Sequence, residues 1–425
     1  MPGISIPDGL VGPERDAAGE HDKGQRRAAA AVAFLVLAGA CAGHASAPGR
    51  PAAGSALAAS AALAASAALA EAAPSPRERV PSALEDPGAP GLPKPLVDPT
   101  QILSGGPPPD GIPAIDHPRF ERAGAVSWLR ANEPVLAADV GGEARAYPVQ
   151  ILIWHEIVND TVGGVPVAIT YCPLCNTAIA YDRRVGGRVL DFGTSGKLYN
   201  SDLVAYDRQT QSLWVQFLGQ AVAGVLTGTQ LRAFPVATVS WGQWHSDHPA
   251  SWVLSRDTGY SRAYGTNPYP GYDDIHASPF LFSGRADGRL AAMTRIVGLR
   301  QGGDAVAITL DALRHQHVIT AAAGGHPVVV WQVPGTASAL ASPSVAGGPD
   351  VGSTGAFDPT VDGRILHFEP TPAGFRDRET STTWDVLGRA VTGPLTGRTL
   401  TPIVHVDTFW FAWAAFLPST RIIGA

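Results

Sequence analysis

Two cysteines stand two residues apart at Cys172-Pro173-Leu174-Cys175, and the third cysteine of the chain, Cys41, lies far upstream. Thiolates at this spacing can share one soft or borderline ion, cycle between dithiol and disulfide, or close a small static bridge. A metal ion needs more than two donors. The candidates to complete a site with Cys172 and Cys175 are His155, His245 and His248, with the carboxyl of Glu156 as a weaker one. Thiolate and imidazole together suit one copper or zinc ion. Three readings stay open: a metal site with a redox role attached, a redox dithiol without metal, and a static pair in a non-catalytic ligand- or protein-binding module of the cell envelope. The metal reading leads, because no βαβ pattern of the thioredoxin kind surrounds the pair.

The elements that must position these residues are legible. Val135–Asp139 and Ala144–Tyr147 bracket Gly141-Gly142, a hairpin signal. Pro148 suits the first turn of a helix running to about Asn159, which would carry His155 and Glu156. Gly163-Gly164 turns the chain into a strand over Val165–Tyr171, and the cysteines leave its end. A further hairpin follows around Gly186-Gly187, and Ser240–His248 reads as a second short helix bearing His245. The fold class is α+β, mostly antiparallel strands with short helices.

The pattern occurs twice. Gly219–Leu231 returns as Gly388–Leu400 with eight of 13 positions identical, and Gly141-Gly142, Gly163-Gly164 and Pro166-Val167 return as Gly302-Gly303, Gly324-Gly325 and Pro327-Val328. A period this long is a domain duplication, not a solenoid. Residues 117–292 form the first unit and 293–425 a second, degenerate one. Positions kept in both, such as Asp182 with Asp358 and Trp214 with Trp384, are structural. The differences mark chemistry. Cys172-Pro-Leu-Cys175 aligns with Val333-Pro-Gly-Thr336, Thr177-Ala178 with Ser338-Ala339, His155 with Gln316 and His245 with Ala414. Phe192–Asp207 is six residues longer than Phe368–Asp377, which makes Asn200, Ser201 and Asp202 site-lining along with Glu156. Between the copies runs a Gly/Pro-rich connector with Tyr260, Tyr264, Tyr269 and Tyr272, either a lid or a linker packed on the seam.

Upstream, Lys23, Arg26 and Arg27 precede the 13-residue apolar run Ala28–Ala40. This reads as an export leader over residues 1–47, cleaved after Ala45-Ser46-Ala47 or lipidated at Cys41. Residues 48–116, rich in Ala and Pro, read as a disordered tether. The expected location is periplasmic or cell-envelope, with membrane association only through a lipid on Cys41. A net charge of −6 and no Lys/Arg cluster in the folded part argue against nucleic-acid binding. The partner expected is a small molecule or an envelope protein.

Tyr171-Cys-Pro-Leu-Cys-Asn-Thr-Ala178, Phe192-Gly-Thr-Ser-Gly196 and Tyr199-Asn-Ser-Asp-Leu203 together resemble the bacterial domain-of-unknown-function family 3179. Trp154–Asp160 and Val406–Trp413 are similar to the same family. The resemblance implies export and a folded region over 117–425, and no reaction.

Overall fold

Two strand-forming segments joined by paired glycines open each copy. In the computed structural model, which describes residues 81–425, Pro134–Val140 pairs with Glu143–Pro148 and Arg295–Gln301 with Asp304–Thr309. Gly141 and Gly142 both adopt positive φ (62° and 80°), the geometry a two-residue hairpin turn requires. From there the copies match element for element. Each builds one sheet from its first hairpin, a strand near its C-terminal end (Ala237–Ser240 or His405–Phe409) and a final strand (Trp252–Leu254 or Arg421–Ile423). That final strand runs parallel to its neighbour in both copies, against the antiparallel rule elsewhere.

A second sheet holds Ile157–Val162, Val165–Cys172 and Thr177–Asp182 in the first copy, and Val318–Ala323, His326–Val333 and Ser353–Asp358 in the second. The third contains Phe192–Tyr199, Asp202–Asp207, Leu213–Val215 and Gln220–Ala223, answered by Phe368–Thr371, Gly374–Asp377, Thr383–Trp384 and Ala390–Thr392. Among the described residues the α-helices are Val149–His155, Trp241–Asp247, Leu310–Gln316 and Trp410–Phe416. The first is shorter than the sequence suggests: Glu156 turns left-handed (φ 59°), and β-branched Ile157 and Val158 begin a strand. Ser240 and Gln243 close a capping box on the helix Trp241–Asp247.

Shared residues hold matching turns. Trp214 Nε1 donates to Asp207 Oδ2 at 3.0 Å and Trp384 Nε1 to Asp377 Oδ2 at 2.9 Å. The same carboxylates accept the amides of Thr210 and Thr380, each at 2.6 Å. The hydrophobic clusters do not respect the copy boundary. Cys172, Tyr181 and Val215 share one with Phe409, Trp410 and Trp413, and Val135 and Trp241 share another with Trp331 and Trp384.

Two expectations need correction. The tether does not reach residue 116. Residues 81–116 bury Ala83, Ala114 and Ile115 against the first copy, and Ile102–Ser104 pairs with Lys197–Tyr199. Asp110 and Asp116 both bind Arg208. This stretch lacks a core of its own and is ordered by lying along another surface, which composition does not reveal. The export leader, Cys41 and the tether before residue 81 lie outside the described residues. The second correction concerns the counterpart of the cysteine turn. Cys172 pairs with Thr177 as Val333 pairs with Ser353, so Thr177 corresponds to Ser353 and not to Ser338. Residues 334–352 fill the place that 173–176 fill in the first copy. Among the described residues, no helix is long and apolar enough to cross a membrane.

Candidate functional site

The strand Val165–Cys172 turns back at Pro173–Asn176, and Asn176 takes the left-handed conformation (φ 55°) that closes the hairpin. The second copy braces this turn. Thr408 Oγ1 donates to the carbonyl of Cys175 at 2.9 Å, and the Phe409 amide does so at 3.1 Å. Thr177 Oγ1 donates to Gln216 Oε1 and Gln216 Nε2 to Thr170 Oγ1, both at 2.9 Å, fixing the base of the hairpin.

A second hairpin comes to meet the thiols. The six residues that lengthen the first copy extend the strands Phe192–Tyr199 and Asp202–Asp207. Asn200 and Ser201 make their two-residue turn at φ 53° and 68°, a demanding geometry for residues other than glycine. The turn places the Ser201 carbonyl 3.5 Å from Cys175 Sγ and 3.9 Å from Cys172 Sγ, so both thiols point at one acceptor. Donor atoms of Cys172, Cys175 and Asp202 all lie within 4.8 Å of one another, and all three residues are buried. Both cysteines are free thiols.

Asp202 Oδ2 accepts the Phe217 amide at 2.8 Å. Its Oδ1 and the Ser201 hydroxyl are buried without a hydrogen-bond partner, an uncommon and costly state. Burial raises the Asp202 carboxyl to about 7, against the pull of the Phe217 amide and the thiols. Glu156 is raised to about 8, first by burial and then by the Asp202 charge. Cys175 is pushed up by burial and by Cys172. The result is a pocket of acids that hold their protons because nothing positive compensates them.

The structure gathers Cys172, Cys175, Ser201 and Asp202, with Asn200 in the same turn and Glu156 close enough to sense Asp202. It does not bring His155 or His245 to the thiols. His155 is fully buried, with Nδ1 2.7 Å from the Pro113 carbonyl and Nε2 2.6 Å from the Tyr264 hydroxyl. Pro113 O can only accept, so Nδ1 carries the proton and Nε2 accepts from Tyr264. Both ring nitrogens are used, and burial lowers the imidazole to about 4. His245 stacks on Trp241 with ring centres 5.0 Å apart, and His248 on Trp244 at 4.2 Å. Asp202, read only as lining, is the group that stands beside the thiols where a histidine was expected. The brace from Thr408 and Phe409 leaves no mark in residue spacing, although both lie in the C-terminal stretch that carries the family resemblance.

The profile of the family described as Protein of unknown function (DUF3179) matches residues 109–420. The chain belongs to that family. The match begins inside the segment that packs on the first copy and runs through both copies, so the family's unit is the duplicated fold. No curated protein and no solved structure matches the chain.

Proposed function

We propose that Cys172, Cys175 and Asp202 bind one borderline or soft metal ion, zinc first and copper second, in a protein exported to the cell envelope. The observation that carries this is the convergence of three acidic donors within 4.8 Å, with Asp202 Oδ1 left unpartnered. Two sulfurs on a tetrahedral zinc lie about 3.8 Å apart at ordinary Zn–S lengths, inside the 4.8 Å that bounds the separations of these donors. A carboxylate beside two thiolates favours zinc over a purely soft ion. The ion would displace the protons that burial now keeps on Cys175 and Asp202 and supply the missing positive charge. The Ser201 carbonyl, Glu156 or water are the candidates for a fourth donor. A closed set makes the ion structural; an open fourth position would let it act as a Lewis acid or be handed on.

One observation favours a second reading. A carboxyl raised to about 7 beside two thiols can accept a thiol proton near neutrality. Oxidation of Cys172 and Cys175 would send two electrons and two protons to an external disulfide, leaving one bridge here and two thiols there.

Metal analysis of untagged protein separates the readings. One equivalent of zinc or copper, lost in Cys172→Ser and in Asp202→Asn, is the expected result. A metal-free protein with a measurable disulfide potential supports the redox reading. Neither property, with no effect of either cysteine on ligand binding, leaves the non-catalytic binding module.

A further inference from the structure

Residues 255–292 link the strands Trp252–Leu254 and Arg295–Gln301 and contain no helix or strand, only an isolated bridge at Thr266. A connection this long without regular structure is unusual in a compact fold, and function is the common reason for one. We propose that this segment is a removable cover over the thiol site, latched by residues 334–352 of the second copy.

Its inner face carries Tyr269 and Tyr272, which pack on the hydrophobic cluster containing Cys172 and Cys175. Tyr272 meets Phe409 edge-on at 6.2 Å between ring centres, and Phe409 is the residue whose amide holds the Cys175 carbonyl. Further along, Gly284 lies so close to the tip of the site hairpin that a Cβ on it would sit 3.0 Å from Asn200 Oδ1. The outer face is open: Tyr260, Ile275 and Phe280 are all exposed.

The latch is specific. Asn267 N donates to Pro343 O at 2.8 Å, Val345 N to Gly265 O at 3.0 Å, and Gly271 N to Ala341 O at 2.9 Å. Asn267 Nδ2 donates to Ser342 O at 2.9 Å. Asp273 receives Arg295 at 2.7 Å and the Ser338 hydroxyl at 2.5 Å. The latching loop leaves the strand His326–Val333 where the cysteine turn leaves Val165–Cys172. One position of the duplicated unit became the thiol site, and its twin became the clasp of the cover.

A fully buried site exchanges its ligand only when something opens. Both site hairpins belong to multi-stranded ladders, whereas the cover has no ladder: besides the clasp it is tied by single bonds, from Arg256 to Gln150, Tyr264 to His155, Arg289 to the carbonyls of Pro418 and Thr420, Trp410 to the Asp287 carbonyl and Phe411 to the Ala292 carbonyl. It is the segment expected to open at lowest free energy. The inference depends on the metal reading only for the identity of the ligand; the thiols are covered either way.

The test is alkylation of reduced, metal-free full-length protein by a maleimide, with the peptide that carries Cys172 and Cys175 followed apart from that of Cys41. Asp273→Asn and Ser338→Ala each loosen the clasp and should speed labelling about tenfold. Thr266 and Ser344 form a bridge of the narrow antiparallel kind, with Cα atoms about 4.5 Å apart, within disulfide range. The Thr266→Cys/Ser344→Cys variant, oxidised until mass spectrometry shows that pair bridged with Cys172 and Cys175 still free, should slow labelling about tenfold or more. Labelling that follows global unfolding in urea in every variant, or that ignores the clamp, overturns the cover. Gated labelling without metal binding rejects the metal reading alone; stoichiometric metal with ungated labelling rejects the cover alone.

Discussion

Thr408 Oγ1 donates to the carbonyl oxygen of Cys175 at 2.9 Å, so the turn that bears the thiols is held by a side chain from the other copy. Thr408 is buried, and its loss would leave that carbonyl with the Phe409 amide alone. Thr408→Val should cost about 1 kcal/mol of stability. It should also speed thiol labelling and metal release, read by alkylation rate and by transfer to a chromogenic chelator. An unchanged release rate would mean that Phe409 suffices.

Stability of the metal-free protein should fall as pH rises. Glu156 titrates at about 8 in the fold against 4.5 ordinarily, and Asp202 at about 7 against 3.8. Below their ordinary values both carboxyls are protonated, folded or not, and their contribution is complete. As pH climbs towards 8, the unfolded chain ionises first and the fold loses on the order of a few kcal/mol. Glu156→Gln should flatten this slope and raise the melting temperature at pH 8 while leaving it unchanged near pH 4.5, the ordinary value for Glu156. Denaturant titrations across the window would check it, and an identical slope in the variant would contradict the assignment.

Metal affinity should climb with pH over the same range, because donors that hold protons must release them. Calorimetry in buffers of different ionisation enthalpy should count more than one proton released per ion. Binding without proton release would place the ion elsewhere.

His155→Asn should leave metal stoichiometry untouched, since both imidazole nitrogens serve Pro113 and Tyr264. Its effect belongs to stability: roughly 1–3 kcal/mol lost, with Tyr264 deprived of its acceptor. The acid side reports it too. A histidine lowered to about 4 from 6.5 withdraws stability as pH falls through that interval, and the variant should lack this limb.

Trp214→Phe and Trp384→Phe should destabilise alike, each by about 1–3 kcal/mol, because each removes the indole donor from a buried carboxylate. Unequal losses, measured by denaturant unfolding, would show that the two turns no longer do the same work.

The duplication, the antiparallel hairpins and the extra length before Asp202 were legible because glycine pairs, alternating apolar residues and a repeat leave marks in one dimension. The third donor was legible only as an insertion. Nothing in the spacing distinguishes a histidine that faces thiols from one that faces Pro113. His155 and Glu156 are neighbours in the chain, yet only Glu156, past the end of its helix, senses Asp202. The twin of the cysteine turn was misplaced because Ser338-Ala339 imitates Thr177-Ala178, while strand pairing puts Ser353 there. The packing of residues 81–116 leaves no mark in composition because extended segments borrow their order from the surface they lie on.

Ile102–Ser104 pairs with Lys197–Tyr199, the last residues before the Asn200-Ser201 turn. This short strand occupies an edge that would otherwise offer unpaired amides and carbonyls to another chain. It is also shielded from mechanical load. Tension drawn along the chain from upstream would meet buried Ala83 and the bond from the Leu96 amide to the Val222 carbonyl before it reached these three residues. A pull on the N-terminal side would strain the far strand Gln220–Ala223 before the hairpin that faces the thiols.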